Sequence, residues 1–415
     1  MLRPPVAVWH RFLPAGASAD AVRILQARGI RAFGDGFVSV LLALHLRNLG
    51  FSTFEVGAVV TATLVGSAAL TLGVGLVAHR LRLRTLLLRA ALLMAATGLG
   101  FAFVHAFWPL IVVAFVGTLN PSSGDVSVFL PTEQALLPRT VGDRQRTALF
   151  ARYSLVGALA AAVGALCAGL PQLVSDRTGI GLDRALDGMF LLYALLGLST
   201  ILLYRELSPA VELEPGTARA PLRESRGVVL RLAALFSLDS FGGGFVVQSL
   251  LALWLFERFD LSVATAGTIF FWTGLLGAAS FLVAPRLAER IGAINTMVFT
   301  HLPANVFLML AAFMPTLPLA LACLLLRSAL SSMDVPVRTS YVMAVVTPAE
   351  RAAAASVTNV PRSLAAAVGP LLSGWMLGVT TFGWPLVVAG SLKALYDLLL
   401  LRQFRSLRPP EEADR

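Results

Sequence analysis

The sequence predicts an all-α integral membrane protein with twelve transmembrane helices in two pseudo-symmetric six-helix bundles. Three observations lead there. Of 415 residues, 57% are hydrophobic and 13% charged, against roughly 45–50% and about 25% in soluble domains, and the mean hydropathy is +0.79. Apolar runs of spanning size, about 20 residues, can be marked off twelve times between charged or Pro/Gly-rich boundaries. Short blocks of the first half recur in the second at a nearly constant offset.

In chain order, spans 1 to 6 are read at 24–48, 54–78, 85–106, 108–137, 148–171 and 188–205. Spans 7 to 12 follow at 228–256, 263–285, 291–314, 317–346, 350–379 and 384–404. Between the sets lies the least apolar interior stretch, with Glu206, Glu212, Glu214, Pro209, Pro215 and Pro221, the composition of a solvated linker. The expected layout is a terminal segment 1–23, a first bundle 24–205, a linker 206–227, a second bundle 228–404 and a tail 405–415. One set of loops carries Arg80, Arg82, Arg84, Arg139, Arg144, Arg146, Arg219, Arg223, Arg286, Arg290 and Arg351; the alternate set carries Arg47, Arg177, Arg184 and Arg258. The positive-inside rule therefore puts both termini in the cytoplasm. A segment broken by His10, Arg11 and Pro14 lacks the apolar core of a signal peptide. The expected location is a bacterial inner membrane, crossed many times.

Several function classes fall away. The net charge of +10 sits between apolar runs rather than in a basic stripe, so no nucleic-acid partner is expected. Lys393 is the only lysine and follows no glycine-rich loop, which excludes a Walker A phosphate site and ATP as partner. Cys167 and Cys323 are too few and too far apart for a metal site, and no cofactor is expected. No His-Glu-x-x-His or Gly-x-Ser-x-Gly motif supports a membrane enzyme.

The repeat is specific. Ser122-Ser123-Gly124-Asp125-Val126 recurs as Ser331-Ser332-Met333-Asp334-Val335, an offset of 331 − 122 = 209. Leu159-Ala160-Ala161-Ala162-Val163-Gly164 recurs as Leu364-Ala365-Ala366-Ala367-Val368-Gly369, and Gly36-Phe37-Val38 as Gly244-Phe245-Val246. Such repeats with a midplane site between halves are the build of secondary transporters.

With these features the chain resembles the major facilitator superfamily from Arg23 to Arg405. That family's loop motif between spans 2 and 3 is represented by Gly75, His79, Arg80, Leu81, Arg82, Leu83 and Arg84, with His79 in place of the acid and Arg82 in place of the second glycine. Between spans 8 and 9, Glu289-Arg290-Ile291-Gly292 keeps acid, base and glycine. The resemblance implies gating roles for Arg80, Arg84, Glu289 and Arg290. A Gly-Pro resembling the antiporter motif occurs in span 11 as Gly369-Pro370, while span 5 has Ala165 where proline would stand. Small residues that let helices approach closely explain the same positions.

Ionisable residues inside a span are costly and mark transport paths by default. Asp35, Asp125, Asp239 and Asp334 lie near the midpoints of spans 1, 4, 7 and 10, helices that in the family line the central cavity. Arg31 and Asp35, and Asp334 and Arg338, stand four residues apart and can share a face. Asp125 and Asp239 have no base at that spacing, which makes them the candidates for proton coupling, Asp125 first. Asn120, Ser123, Gln248 and Arg327 complete the expected cavity set, with Arg362 in span 11. Glu133 reads as a gate or as a helix end reaching water, and His301 as a proton relay or an interhelical hydrogen-bonding residue.

The first functional reading is a proton-coupled efflux antiporter of a cationic or amphipathic solute, working by alternating access; its partners are the small substrate, protons and the lipid bilayer. The alternative is a transporter of an anionic metabolite held by intramembrane arginines. A non-transporting sensor or scaffold is the third.

Overall fold

The computed structural model describes residues 12–14, 16–77, 82–122, 128–141, 146–209, 223–347, 350–405 and 407. Spans 1 to 3 are α1 (Ala19–Asn48), α2 (Thr53–Val77) and α3 (Leu83–Phe103). Span 4 is split into α4 (Phe107–Val116) and α5 (Phe129–Leu136); span 5 is α6 (Arg146–Cys167), continued by the short α7 (Leu170–Thr178); span 6 is α8 (Leu182–Tyr204). Span 7 is α9 (Arg226–Gly244) plus α10 (Gln248–Phe259), and spans 8 and 9 are α11 (Val263–Ile291) and α12 (Ala293–Phe313). Span 10 is α13 (Leu317–Ser331) plus α14 (Asp334–Val345); α15 (Arg351–Val379) and α16 (Trp384–Phe404) close the chain. Among the described residues there is no strand.

Among the described residues, ten segments are long and apolar enough to cross a membrane. The other two are the broken span 4 and span 11, which Thr358, Asn359, Pro361 and Arg362 make more polar. Phe103, Trp108, Leu195, Trp375 and Val379 are exposed, while Arg31, Glu133, Asp239 and Asp397 are buried. This inverts the soluble pattern and fits a bilayer as solvent.

Spans 4, 7 and 10, expected as continuous runs, are interrupted. In span 7, Gly242-Gly243-Gly244 ends α9, because successive glycines hold a helix poorly. The freed backbone groups find partners. Ser373 Oγ donates to the Phe245 carbonyl at 2.9 Å, and Ser249 N–H donates to Pro121 O at 3.2 Å, so the break in span 7 is partly satisfied by the break in span 4.

The repeated letters build repeated crossings. Spans 1 and 5 pack together as do 7 and 11; 3 and 6 as do 9 and 12; 2 and 4 as do 8 and 10. At the first crossing a Cβ on Gly36 would sit 2.1 Å from Ala161 O, and one on Gly244 would sit 2.2 Å from Ala366 O. Only glycine allows that approach of two backbones.

Between halves, span 2 packs on span 11 and span 5 on span 8. A Cβ on Gly57 would meet Pro370 O at 2.5 Å, and one on Gly267 would meet Ala165 O at 2.5 Å, two contacts related by the same pseudo-symmetry. These contacts lie at the end of the bundle opposite the start of α1 and the end of α16. There Arg47 pairs with Glu257 at 3.1 Å, and Gln248 donates to Ser39 Oγ at 2.9 Å.

Candidate functional site

Each half holds a buried polar cluster. In the first, Arg31 of span 1 donates through Nη2 to Glu133 Oε2 at 2.5 Å and through Nε to Tyr204 Oη at 3.1 Å. Glu133 also accepts from the Tyr153 and Tyr204 hydroxyls, and the Arg31 guanidinium lies 4.0 Å from the Phe129 ring centroid. Spans 1, 4, 5 and 6 are thus joined through one carboxylate with three donors. Beside it, Asp35 accepts from Tyr193 Oη at 3.3 Å. Glu133 is fully buried, which corrects the reading of it as a helix end reaching water. The Tyr204 and Tyr153 side chains cover it, a tertiary effect invisible in the spacing of span 4.

In the second cluster Asp239 of span 7 is the hub. Its Oδ2 accepts from Arg338 Nη1 at 3.0 Å, its Oδ1 accepts from Lys393 Nζ at 2.6 Å, and His301 Nε2 stands 3.8 Å from Oδ1. Arg338 also pairs with Asp334 at 3.4 Å, as their spacing predicts. His301 Nδ1 reaches Asp397 Oδ1 at 2.9 Å, and Asn305 Nδ2 donates to Asp397 Oδ2 at 2.9 Å. The expectation that Asp239 lacks a fixed partner is corrected: its cations come from spans 10 and 12, outside the reach of i,i+4 reasoning. Neither Lys393 nor Asp397 was read as a site residue, although two ionisable residues four apart inside span 12 were a signal for them.

The remaining candidates divide. Asn120 accepts from Ser122 in the break of span 4, and Gln248 belongs to the contact between halves. Arg84 donates to the Arg205 carbonyl at the end of span 6. Glu289 and Arg290 are exposed at the end of span 8, followed by Gly292 at φ +88°, a left-handed turn that accounts for the glycine. Gly369 packs on Gly244, and the Pro370 carbonyl faces Gly57. Ser123, Asp125 and Arg80 lie outside the described residues.

Of the candidate arginines inside the spans, Arg31 and Arg338 pair with carboxylates, whereas Arg327 and Arg362 have no carboxylate partner among the described residues. Arg362 donates to Ser240 Oγ at 3.1 Å and to Asn359 Oδ1 at 3.3 Å. Arg327 is half-buried and makes no hydrogen bond or ion pair among the described residues. It stands ten residues into span 10 (327 − 317), about 15 Å along a helix rising roughly 1.5 Å per residue, close to the midplane of a core about 30 Å thick.

The architecture and clusters can be compared with known proteins. The chain is 25% identical over 423 aligned positions to an uncharacterized membrane protein of Saccharomyces cerevisiae, covering 94% of each. Its fold matches that of a bacterial homologue of the human lysosomal transporter Spinster in an inward-facing, unoccupied conformation, with a TM-score of 0.72, 13% identity and coverage of 98% of this chain and 99% of that one. The nucleoside transporter NupG gives a TM-score of 0.71 at 14% identity, covering 93% and 99%; the human organic anion transporter MFSD10 gives 0.63 at 16%, covering 96% and 100%. A family model described as Major Facilitator Superfamily matches residues 27–326 and 240–415. Twelve spans, the internal repeat and that match together make this chain a member of the Major Facilitator Superfamily.

Proposed function

We propose that this transporter moves a small anionic organic solute in symport with protons, by alternating access between its two halves. The observation that carries the reading is Arg327, a guanidinium near the midplane with no carboxylate to neutralise it among the described residues. A charge there is expensive unless a ligand or water path compensates it. The interior of the second half agrees: Asp239, Asp334 and Asp397 stand against Arg327, Arg338, Arg362 and Lys393, three acids to four bases. Antiport of a cation needs a free carboxylate, and Asp239 and Asp334 are both occupied by bases. An organic anion transporter and a nucleoside transporter among the structural neighbours support a small polar solute.

The arginine asymmetry of the loops supports cytoplasmic termini in a plasma (inner) membrane. With that orientation, closure at the far end supports an inward-facing state, the state of the Spinster homologue. Thermal shift of purified protein tests the ligand class, since a ligand of the native state raises apparent stability. Citrate, glucuronate and a nucleoside monophosphate form the anion arm; tetraphenylphosphonium and uncharged nucleosides form the others. Stabilisation by an anion that is lost in Arg327→Gln supports the reading, and stabilisation by cations alone overturns it.

A further inference from the structure

We propose that His301 is the proton site of the second half, and that its protonation releases Lys393 from Asp239 to hold the anionic group of the substrate. The inference rests on the anion-symport reading above and deepens it. It starts from one shared atom. Asp239 Oδ1 accepts from Lys393 Nζ at 2.6 Å and also stands 3.8 Å from His301 Nε2.

The geometry fixes where a proton adds. His301 Nδ1 stands 2.9 Å and 3.1 Å from the Asp397 carboxylate oxygens and 3.2 Å from Asn305 Nδ2; an ionised Asp397 only accepts, which assigns the hydrogen of the neutral ring to Nδ1 and the lone pair to Nε2. Asn305, one helical turn on, holds Asp397 from the other side. A proton from water adds to Nε2; no other covalent bond changes, and Lys393 remains an ammonium. The protonated nitrogen then stands 3.8 Å from Asp239 Oδ1, where two cations compete.

The charges around the ring decide the outcome. Span 7 presents Asp239, span 10 presents Asp334 and Arg338, span 11 presents Arg362 through Ser240, and span 12 presents Lys393, Asp397 and the Tyr396 ring. With His301 neutral, three acids (Asp239, Asp334, Asp397) balance three bases (Arg338, Arg362, Lys393); one proton leaves the cluster with net positive charge. Of the side chains in its ion pairs Lys393 is the most exposed, at 12%. Gly242 and Gly243 lie along its stem, and Gly243 is the repeat counterpart of Asp35 (243 − 35 = 208).

Lys393 is the only lysine of the chain, so Cε-labelled lysine gives a single side-chain resonance in the whole protein. The experiment records that resonance on the full-length protein from about pH 8 to about pH 5.5, the range in which an ordinary histidine titrates. One transition in the native protein, absent in His301→Gln and moved to lower pH in Asp397→Asn, is the expected result. Asp397→Asn also keeps the test decisive should His301→Gln fail to fold. A resonance that does not change with pH, or the same transition in both variants, overturns the proposal. Because no substrate is needed, the outcome is separate from that of the Arg327 panel, which tests the anion reading itself.

Discussion

Arg31 and Asp239 occupy equivalent positions in the two halves and carry opposite charges. Their separation, 239 − 31 = 208, equals that of Gly36 and Gly244, whose crossings superpose in kind. Their partners are equivalent too. Phe129, under the Arg31 guanidinium, corresponds to Arg338, on the Asp239 carboxylate, at the offset of 209 that relates Ser122 to Ser331. One ancestral contact between the first and fourth spans of a repeat is thus a cation on a ring in one half and an ion pair in the other. The first half has its carboxylate one turn further along, at Glu133.

The first prediction concerns that carboxylate. Arg31→Met leaves Glu133 buried with tyrosine donors alone, and breaking a buried pair from one side costs about 3–5 kcal/mol. The double variant Arg31→Met with Glu133→Leu recovers most of that loss. A double-mutant cycle on unfolding in detergent checks this, and additive losses would count against it.

Backbone contact at the glycine crossings gives the second. Gly36→Ala and Gly244→Ala each place a methyl against a carbonyl oxygen that belongs to another helix and cannot swing away. Each should lower stability by about 1–3 kcal/mol, the range for overpacking. Gly73→Ala, with nothing within 4 Å of its added carbon inside α2, should not lower the melting temperature and gains the helix propensity of alanine.

At the far end the Arg47 and Glu257 pair is 3.1 Å long, with side chains 38% and 31% exposed. A pair so exposed contributes roughly 0–1 kcal/mol to stability. On the alternating-access reading proposed above, its effect falls on the equilibrium between closed and open far ends instead. Glu257→Gln should leave unfolding almost unchanged while raising thiol labelling of a cysteine placed near Gln248 from that side.

Glu350 sets an acid limit. Its carboxylate accepts from the backbone N–H groups of Arg223, Glu224 and Ser225 at 2.6, 2.9 and 2.9 Å, at the entry to span 7. Those donors hold its pKa down at about 2. The sign follows from the depressed value: the contribution is complete above the ordinary 4.5 and is lost as pH falls from there toward about 2. Glu350→Gln should flatten the pH dependence of stability in that window, measured by thermal unfolding at a series of acidic pH values.

How much of this was legible in the sequence depended on range. Span count and repeat could be read because bilayer thickness fixes run length and glycine crossings preserve letters such as Gly36 and Gly244. Asp334 with Arg338 could be read because both lie on one helix. The hub at Asp239 could not, because Lys393 and Arg338 arrive from helices 154 and 99 residues away. Glu133 was misjudged for the same reason, its cover coming from Tyr204 at a separation of 71. The breaks in spans 7 and 10 were hidden by unbroken apolar composition; Gly242-Gly243-Gly244 was the local clue.

The most direct test of the central claim is transport into proteoliposomes under an imposed pH gradient, using the anion that the thermal-shift panel identifies. The account predicts that the anion accumulates in the more alkaline compartment, moving with the proton flow, and that Arg327→Gln abolishes the accumulation. Accumulation in the acidic compartment, or uptake indifferent to the gradient in the native protein, would contradict it.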